Sequence, residues 1–260
     1  MNIQALGAEP VLCAVVGKDD GANKVFDRLL ANNIADTGIV VSDERPTTVK
    51  TRIMSGHQHV VRIDEETDRP LSTTEEASLI KKIEELISSC DVVIFEDYDK
   101  GVISKNLIEK AVQLAKEEGI PTVVDPKKRN FLNYQGVSLF KPNLKELKEG
   151  LKLEFEKNDQ AEVEKAVDLL IKELNSKGSL ITLSEKGVYI NYNNEKHHIP
   201  AHLREISDVS GAGDTVISIA ALCVALKLSP LVIAALSNLG GGLVCERVGV
   251  VPIDKNDLLH

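Results

Sequence analysis

Tryptophan is absent from these 260 residues and aromatic side chains make up only 3% of them, which leaves little from which to build base-stacking platforms. Basic residues are in the minority as well, 31 against 40 acidic, for a formal net charge of −9. Such a surface repels nucleic acid and anionic membranes at long range, so any phosphate the protein binds must be held by a local site. None of the four cysteines (Cys13, Cys90, Cys223 and Cys245) belongs to a CxxC pair, and each borders an apolar run. They read as reduced core residues rather than as disulfides or metal ligands. No basic segment followed by an apolar stretch opens the chain, and no apolar run reaches the roughly 18 residues of a membrane span. The cytoplasm is the expected compartment, with neither nucleic acid nor membrane as partner.

What is present is ordinary globular composition, 43% hydrophobic and 27% charged, in a length that suits one layered α/β domain over residues 1–260. Residues 91–96 form a short apolar run suited to a buried strand. Residues 104–118 place Leu107, Ile108, Ala111, Val112 and Ala115 on one helical face, with Ser104 able to cap that helix and Gly119 to end it. A second strand ends at Pro126, and strand–helix–strand of this length implies parallel pairing. The rhythm continues with a strand at 137–140, a helix from Asn143 and a helix over about 160–175. Strands at 179–183 and 188–192 follow, then a hairpin turn at Asn193–Asn194. Two closing helices start near Gly211 and after Pro230. Residues 46–55 and 58–66 depart from this pattern by alternating polar and apolar residues, which predicts an antiparallel flap with one wet face at about 44–66.

The sharpest chemical signal is Asp208-Val209-Ser210-Gly211-Ala212-Gly213-Asp214-Thr215, running straight into an apolar helix. Two glycines let backbone approach a ligand closely, and a helix N-terminus offers unpaired N–H groups to an anion. Asp214, at the edge of that cradle, can accept a proton from a hydroxyl attacking a phosphoryl group. Taken alone, the glycines could equally shape a tight turn.

The whole string resembles the C-terminal signature of the ribokinase-like (PfkB) sugar kinases, and further matches fall in order along essentially the whole chain. The resemblance implies a three-layer α/β/α sandwich with a mostly parallel central sheet and a small β lid, and ATP and Mg²⁺ as cofactors. It implies that Gly211, Ala212 and Gly213 form the anion hole and that Asp214 is the catalytic base. Lys141-Pro142-Asn143-Leu144-Lys145-Glu146 resembles the family's N-x-x-E motif, which implies that Asn143 and Glu146 organise Mg²⁺ and phosphate through water; the same pair makes a capping box for the following helix. Ile181 through Gly187 resembles the strand and turn beside the nucleotide, with Ser184 in place of a frequent glycine, although SEKG is also an ordinary turn. Asn238 matches a position near the adenine, and the glycines around Gly241 would let backbone pack against the nucleotide or a neighbouring helix.

Three stretches resemble the heptose-phosphate kinases within that family. They are Pro46 through Arg52 with Gln58 through Asp64, the run Asp97-Tyr98-Asp99-Lys100-Gly101, and Asp125-Pro126-Lys127. The implied substrate is D-glycero-β-D-manno-heptose 7-phosphate, with Gln58, Asp97, Lys100 and Lys127 as substrate-binding residues and pairing of two chains through the lid. Both lysines follow strand C-termini, where ligands bind in open α/β sheets, though each could also be a plain surface lysine. In bifunctional relatives a nucleotidyltransferase domain follows, and it is not among these residues. Asn2 through Ala8 matches the tail of the family's first helix, so a first strand and a glycine-pair motif that contacts the sugar are expected to be missing. Loss of that strand would expose its neighbour's edge. Two other readings stay open: another PfkB specificity, ribokinase-like or phosphofructokinase-like, and a nucleotide-binding remnant without catalysis. His57 and His59 have the spacing for a metal but no evident third ligand and read as solvated strand residues, and His197 and His198 read as solvated too.

Overall fold

Short apolar runs separated by capped amphipathic segments set the order of elements. The computed structural model describes residues 1–260 apart from 56–57, 157–158, 202–205 and 259–260. The chain opens with α1 (Asn2–Ala5), β1 (Ala14–Gly17), α2 (Asp20–Ala31) and β2 (Ile39–Ser42), then the hairpin β3 (Val49–Ser55) and β4 (Gln58–Glu65). It continues through α3 (Thr73–Leu86), β5 (Val93–Glu96), α4 (Lys105–Glu117), β6 (Thr122–Asp125), β7 (Leu139–Phe140), α5 (Leu144–Leu151) and α6 (Gln160–Leu174). Last come β8 (Gly178–Thr182), β9 (Val188–Tyr192), β10 (Glu195–Ile199), α7 (Ala212–Ala225) and α8 (Pro230–Cys245).

Local chemistry fixes most of these boundaries. The side chains of Asp19, Ser72, Ser104, Asn143, Asp159 and Ser229 each accept a hydrogen bond from the amide three residues on, satisfying an otherwise orphaned donor. Gly119 ends α4 with φ 72°, and Asn193 and Asn194 turn the β9–β10 hairpin at φ 53° and 66°.

Strands β5, β6, β7 and β8 run parallel, and β9 and β10 add antiparallel strands, in the order β10-β9-β8-β7-β6-β5. The pleat sends alternate residues to opposite faces. Val124, Phe140, Ile181 and Tyr189 join α3 to α6 in one core, while Val123, Leu139, Leu180 and Ile190 join α7 and α8 in the other. Helices therefore cover both faces, the three layers expected from the sequence. Each of these buried aliphatic side chains contributes about 1.5–3 kcal/mol.

The flap is the antiparallel pair β3–β4, a sheet of its own. Between α1 and the flap the chain adds β1–α2–β2, a parallel pair with a small core of Val16, Ala22, Leu29 and Ile39 that lies beyond the elements assigned from periodicity. No ladder joins β1 to β5 among the described residues. A cavity of about 650 Å³ is lined by residues 11–15 with β1, by 92–98 with β5 and by α3 residues Leu79, Ile83 and Leu86. Strand β5 is the end strand of the six-stranded sheet among the described residues. All four cysteines are free thiols.

Candidate active site

Every motif singled out for phosphoryl chemistry falls at the C-terminal ends of β5 to β8 or at the start of α7. Glu96 and Asp125 close β5 and β6 as register partners. Phe95 and Val124, one residue earlier, face the α3–α6 core, so both carboxyls turn toward α7. Lys141 follows β7, and Asn143 and Thr182 form a parallel bridge that brings the N-x-x-E turn beside the end of β8. Ligand sites in open α/β sheets lie outside this edge.

Gly211 is the N-cap of α7 with φ 84°, a left-handed conformation that favours glycine, and no side chain caps the helix. The Ala212 amide donates to the Val209 carbonyl at 3.3 Å, which leaves the next amides, those of Gly213 and Asp214, to face an anion. A Cβ on Gly213 would lie 3.7 Å from Asp125 Oδ2 and 3.9 Å from Lys141 Nζ, so the cradle abuts this ion pair. Lys141 Nζ meets Asp125 Oδ2 at 3.1 Å with its side chain 4% exposed, and Lys127 Nζ lies 3.8 Å from Asp125 Oδ1. Tyr98 donates its hydroxyl to Asp214 Oδ1 across 3.3 Å. Burial raises the Asp214 pKa above its ordinary value, and the Tyr98 hydrogen bond works in the opposite direction. Tyr98, Lys141 and Glu96 thus belong to the site although motif reading gave them no role.

Asn143 and Glu146 make a full capping box: Asn143 Oδ1 accepts from the Glu146 amide at 2.8 Å, and Glu146 Oε2 accepts from the Asn143 amide at 2.9 Å. Glu146 Oε1 also accepts from Lys127 Nζ at 2.8 Å. Burial disfavours the Lys127 charge, but Glu146 and Asp125 outweigh it and leave its pKa above the ordinary value. Ser184 has φ 55°, which accounts for the glycine frequent at that position. Gly187 has φ 85°, and a Cβ there would sit 2.0 Å from the Ile199 carbonyl oxygen. Asn238 donates to the Pro200 carbonyl at 2.9 Å, tying α8 to the chain after β10. Gly241 is buried, and a Cβ there would meet Val216 of α7 at 2.7 Å, so close helix packing is the role its geometry displays.

The lid side is separate. Lys100 Nζ pairs with Glu66 Oε1 at 2.6 Å just beyond β4, and Lys50 pairs with Glu66 Oε2 at 3.2 Å. Glu66 is held below the usual carboxylate range, chiefly by the Lys100 hydrogen bond. Asp97 is buried and its carboxylate is committed within the chain: Oδ1 accepts from the Asp99 amide, Oδ2 from Tyr134 at 2.8 Å and Asn130 at 3.2 Å. It holds the shape of the loop that carries Tyr98 and Lys100. The Gln58 side chain and His57 lie outside the described residues, while His197 and His198 sit on edge strand β10 with Glu195 Oε1 and the Lys186 carbonyl as partners.

Residues 1–256 match the family described as pfkB family carbohydrate kinase. The chain is 38% identical over 248 residues to the bifunctional protein HldE of Wolinella succinogenes, covering 95% of this chain and 52% of that protein. It is 37% identical over 258 residues to the bifunctional protein HldE of Caulobacter vibrioides, covering 99% and 53%. The chain thus spans about half the length of the curated relatives it matches. Among solved structures it is similar to Escherichia coli phosphofructokinase-2 in complex with potassium (TM-score 0.81, 15% identity, 99% of this chain and 82% of that one). It is also similar to ribokinase from Thermotoga maritima (TM-score 0.71, 18% identity, 99% and 84%). These likenesses show the fold, a ribokinase-like sandwich. With the family match over nearly all its length, the chain belongs to the PfkB carbohydrate kinases.

Proposed function

We propose that this sugar kinase transfers the γ-phosphoryl group of ATP to O1 of D-glycero-β-D-manno-heptose 7-phosphate in the cytoplasm, supplying the 1,7-bisphosphate for ADP-heptose and lipopolysaccharide core synthesis. The observation that carries phosphoryl transfer is Asp214 at the uncapped start of α7, next to the Lys141–Asp125 ion pair. In this reading the Gly211–Ala212–Gly213 turn presents the phosphoryl oxygens with the amides of Gly211 and Gly213, while Ala212, whose amide is held by the Val209 carbonyl, shapes the turn. Asp214 takes the hydroxyl proton as the oxygen–phosphorus bond forms and the bridging bond to ADP breaks. Nucleotide contacts fall to Ser184, Gly187, Asn238 and Gly241.

The substrate assignment is supported by Lys100 beneath the lid, where a sugar that already carries a phosphate needs a cation. Lys127, against Glu146 at the end of β6, is the second cation for that phosphate in this reading. Asp97 shapes the intervening loop, and Gln58 contributes from the lid. Both Glu146 oxygens are already engaged by protein donors, so Asn143 and Glu146 fit Mg²⁺ held through water, as that ion's retained hydration allows. When bound, Mg²⁺ neutralises phosphate oxygens. Pairing of two chains through the lid is supported by Ile53, Val61 and Ile63, exposed on one face of β3–β4. No helix among the described residues is long and apolar enough to cross a membrane.

The test is ATP consumption with Mg²⁺, comparing heptose 7-phosphate, ribose and fructose 6-phosphate, with Asp214→Asn alongside. Selective heptose turnover supports the assignment, and preference for another sugar moves it. ATP binding without turnover on any sugar favours a nucleotide-binding role instead. Asp214→Asn should lower the rate about 10²–10⁴-fold with ATP affinity nearly intact, and unchanged turnover would remove Asp214 as base.

A further inference from the structure

Carboxylate oxygens of Glu96, Asp125 and Asp214 lie within 4.8 Å of one another. Two lysines approach this group, and both pair with Asp125. Among the described residues no hydrogen bond or ion pair reaches the Glu96 carboxyl. Close carboxylates cannot all ionise cheaply, and the one without a cation of its own retains a proton most readily.

We propose that Glu96 is a positioning residue of the transfer: as a neutral carboxyl group beside Asp125 and Asp214, it keeps Asp214 the ionised base and spares the arriving phosphoryl group a third negative charge. The inference rests on the kinase reading above. The charged and titratable groups around Glu96 are Asp125 and Lys127 from the end of β6, Lys141 from beyond β7, Asp214 from α7 and Tyr98 from its own strand's loop. Burial first, then Asp125 and Asp214, push the Glu96 pKa up to about 8, against the two lysines. Glu96 keeps its proton throughout the transfer, while the substrate's proton passes to Asp214. As pH rises through that value Glu96 ionises and the phosphoryl meets an added negative charge, so transfer falls.

The test compares kcat/KM at pH 7 and pH 9 for the wild type and Glu96→Gln, together with carbon-13 titration of the Glu96 carboxyl in the wild type and Asp214→Asn. The wild type should lose about tenfold between the two pH values, and Glu96→Gln should hold its rate. Asp214→Asn, by removing a like charge, should lower the Glu96 midpoint. Equal pH ratios in wild type and Glu96→Gln, or a Glu96 midpoint at an ordinary carboxylate value, overturn the proposal. So does a Glu96→Gln protein that melts normally yet transfers at neither pH, because the ionised form would then be required. A wild type without turnover on any sugar, but with a midpoint that moves in Asp214→Asn, removes the kinase reading and the role in transfer while the coupled carboxyls stand.

Discussion

Tyr98 and Asp214 are joined by a hydrogen bond of 3.3 Å that links the loop after β5 to the first turn of α7. The phenol donates to the ionised carboxylate and so lowers the Asp214 pKa against the rise that burial imposes. Tyr98→Phe removes the donor, the pKa climbs, and more Asp214 is protonated at any given acidic pH. The acid limb of the pH–rate profile should move to higher pH by about 0.5–1 unit, an amount in keeping with one hydrogen bond. A profile whose acid limb stays in place would detach Tyr98 from the base.

Lys100 answers a different question, because its partner lies at the lid. Lys100→Met keeps most of the aliphatic stem and removes the charge that Glu66 holds at 2.6 Å. Affinity for the phosphosugar should fall about 10–100-fold, the worth of a charged hydrogen bond, with ATP affinity almost unchanged. Equal losses for both ligands would defeat the assignment.

Gly187 tests structure rather than chemistry. Its φ is 85°, and an added Cβ would strike the Ile199 carbonyl oxygen at 2.0 Å, an atom of β10, which is paired to β9. Gly187→Ala should cost about 2–4 kcal/mol, combining left-handed strain with overpacking. Thermal melting reads this directly, and a melting point equal to wild type would show that the hairpin yields.

The lid's apolar face gives a prediction in solution. Ile53 pairs with Val61 across the hairpin, and Ile63 follows on the same side, at 46%, 46% and 50% exposure. Val61→Glu should turn a dimer into a monomer in sedimentation velocity. A wild type that sediments as a monomer at all concentrations would end the pairing proposal.

The legible parts of the site were those written in one stretch of chain. Glycine spacing before an apolar helix announced Asp214, and the Asn143/Glu146 spacing announced a capping box that the structure contains. Gly241 was legible only as a choice between two roles, since what lies 2.7 Å away is Val216 on another helix. Glu96 was not legible, because its significance depends on β5 and β6 ending in register at Asp125. One signal existed: both short apolar strands end in a carboxylate. Lys141 and the Asp97–Tyr134 bond likewise depend on pairings between remote segments.

The break in the ladder between β1 and β5 bears on how the lid is held. Thr47, at the root of the lid, donates its amide to Asp19 at 2.8 Å, and its hydroxyl accepts from Gly17 at 2.8 Å. The lid is therefore fastened to the β1–α2–β2 unit, and that unit shares no backbone ladder with the main sheet among the described residues. A link across the gap is Arg45, whose guanidinium donates to the Lys100 carbonyl at 2.6 Å. What holds the unit to the main body is apolar packing and side-chain bonding: Val15 of β1 and Val40 of β2 lie against the core around α3 to α6, and the Ser42 hydroxyl donates to Glu75 of α3. The lid is thus carried by side chains and apolar contact rather than by a ladder, and Arg45 ties it to the very loop that presents Lys100.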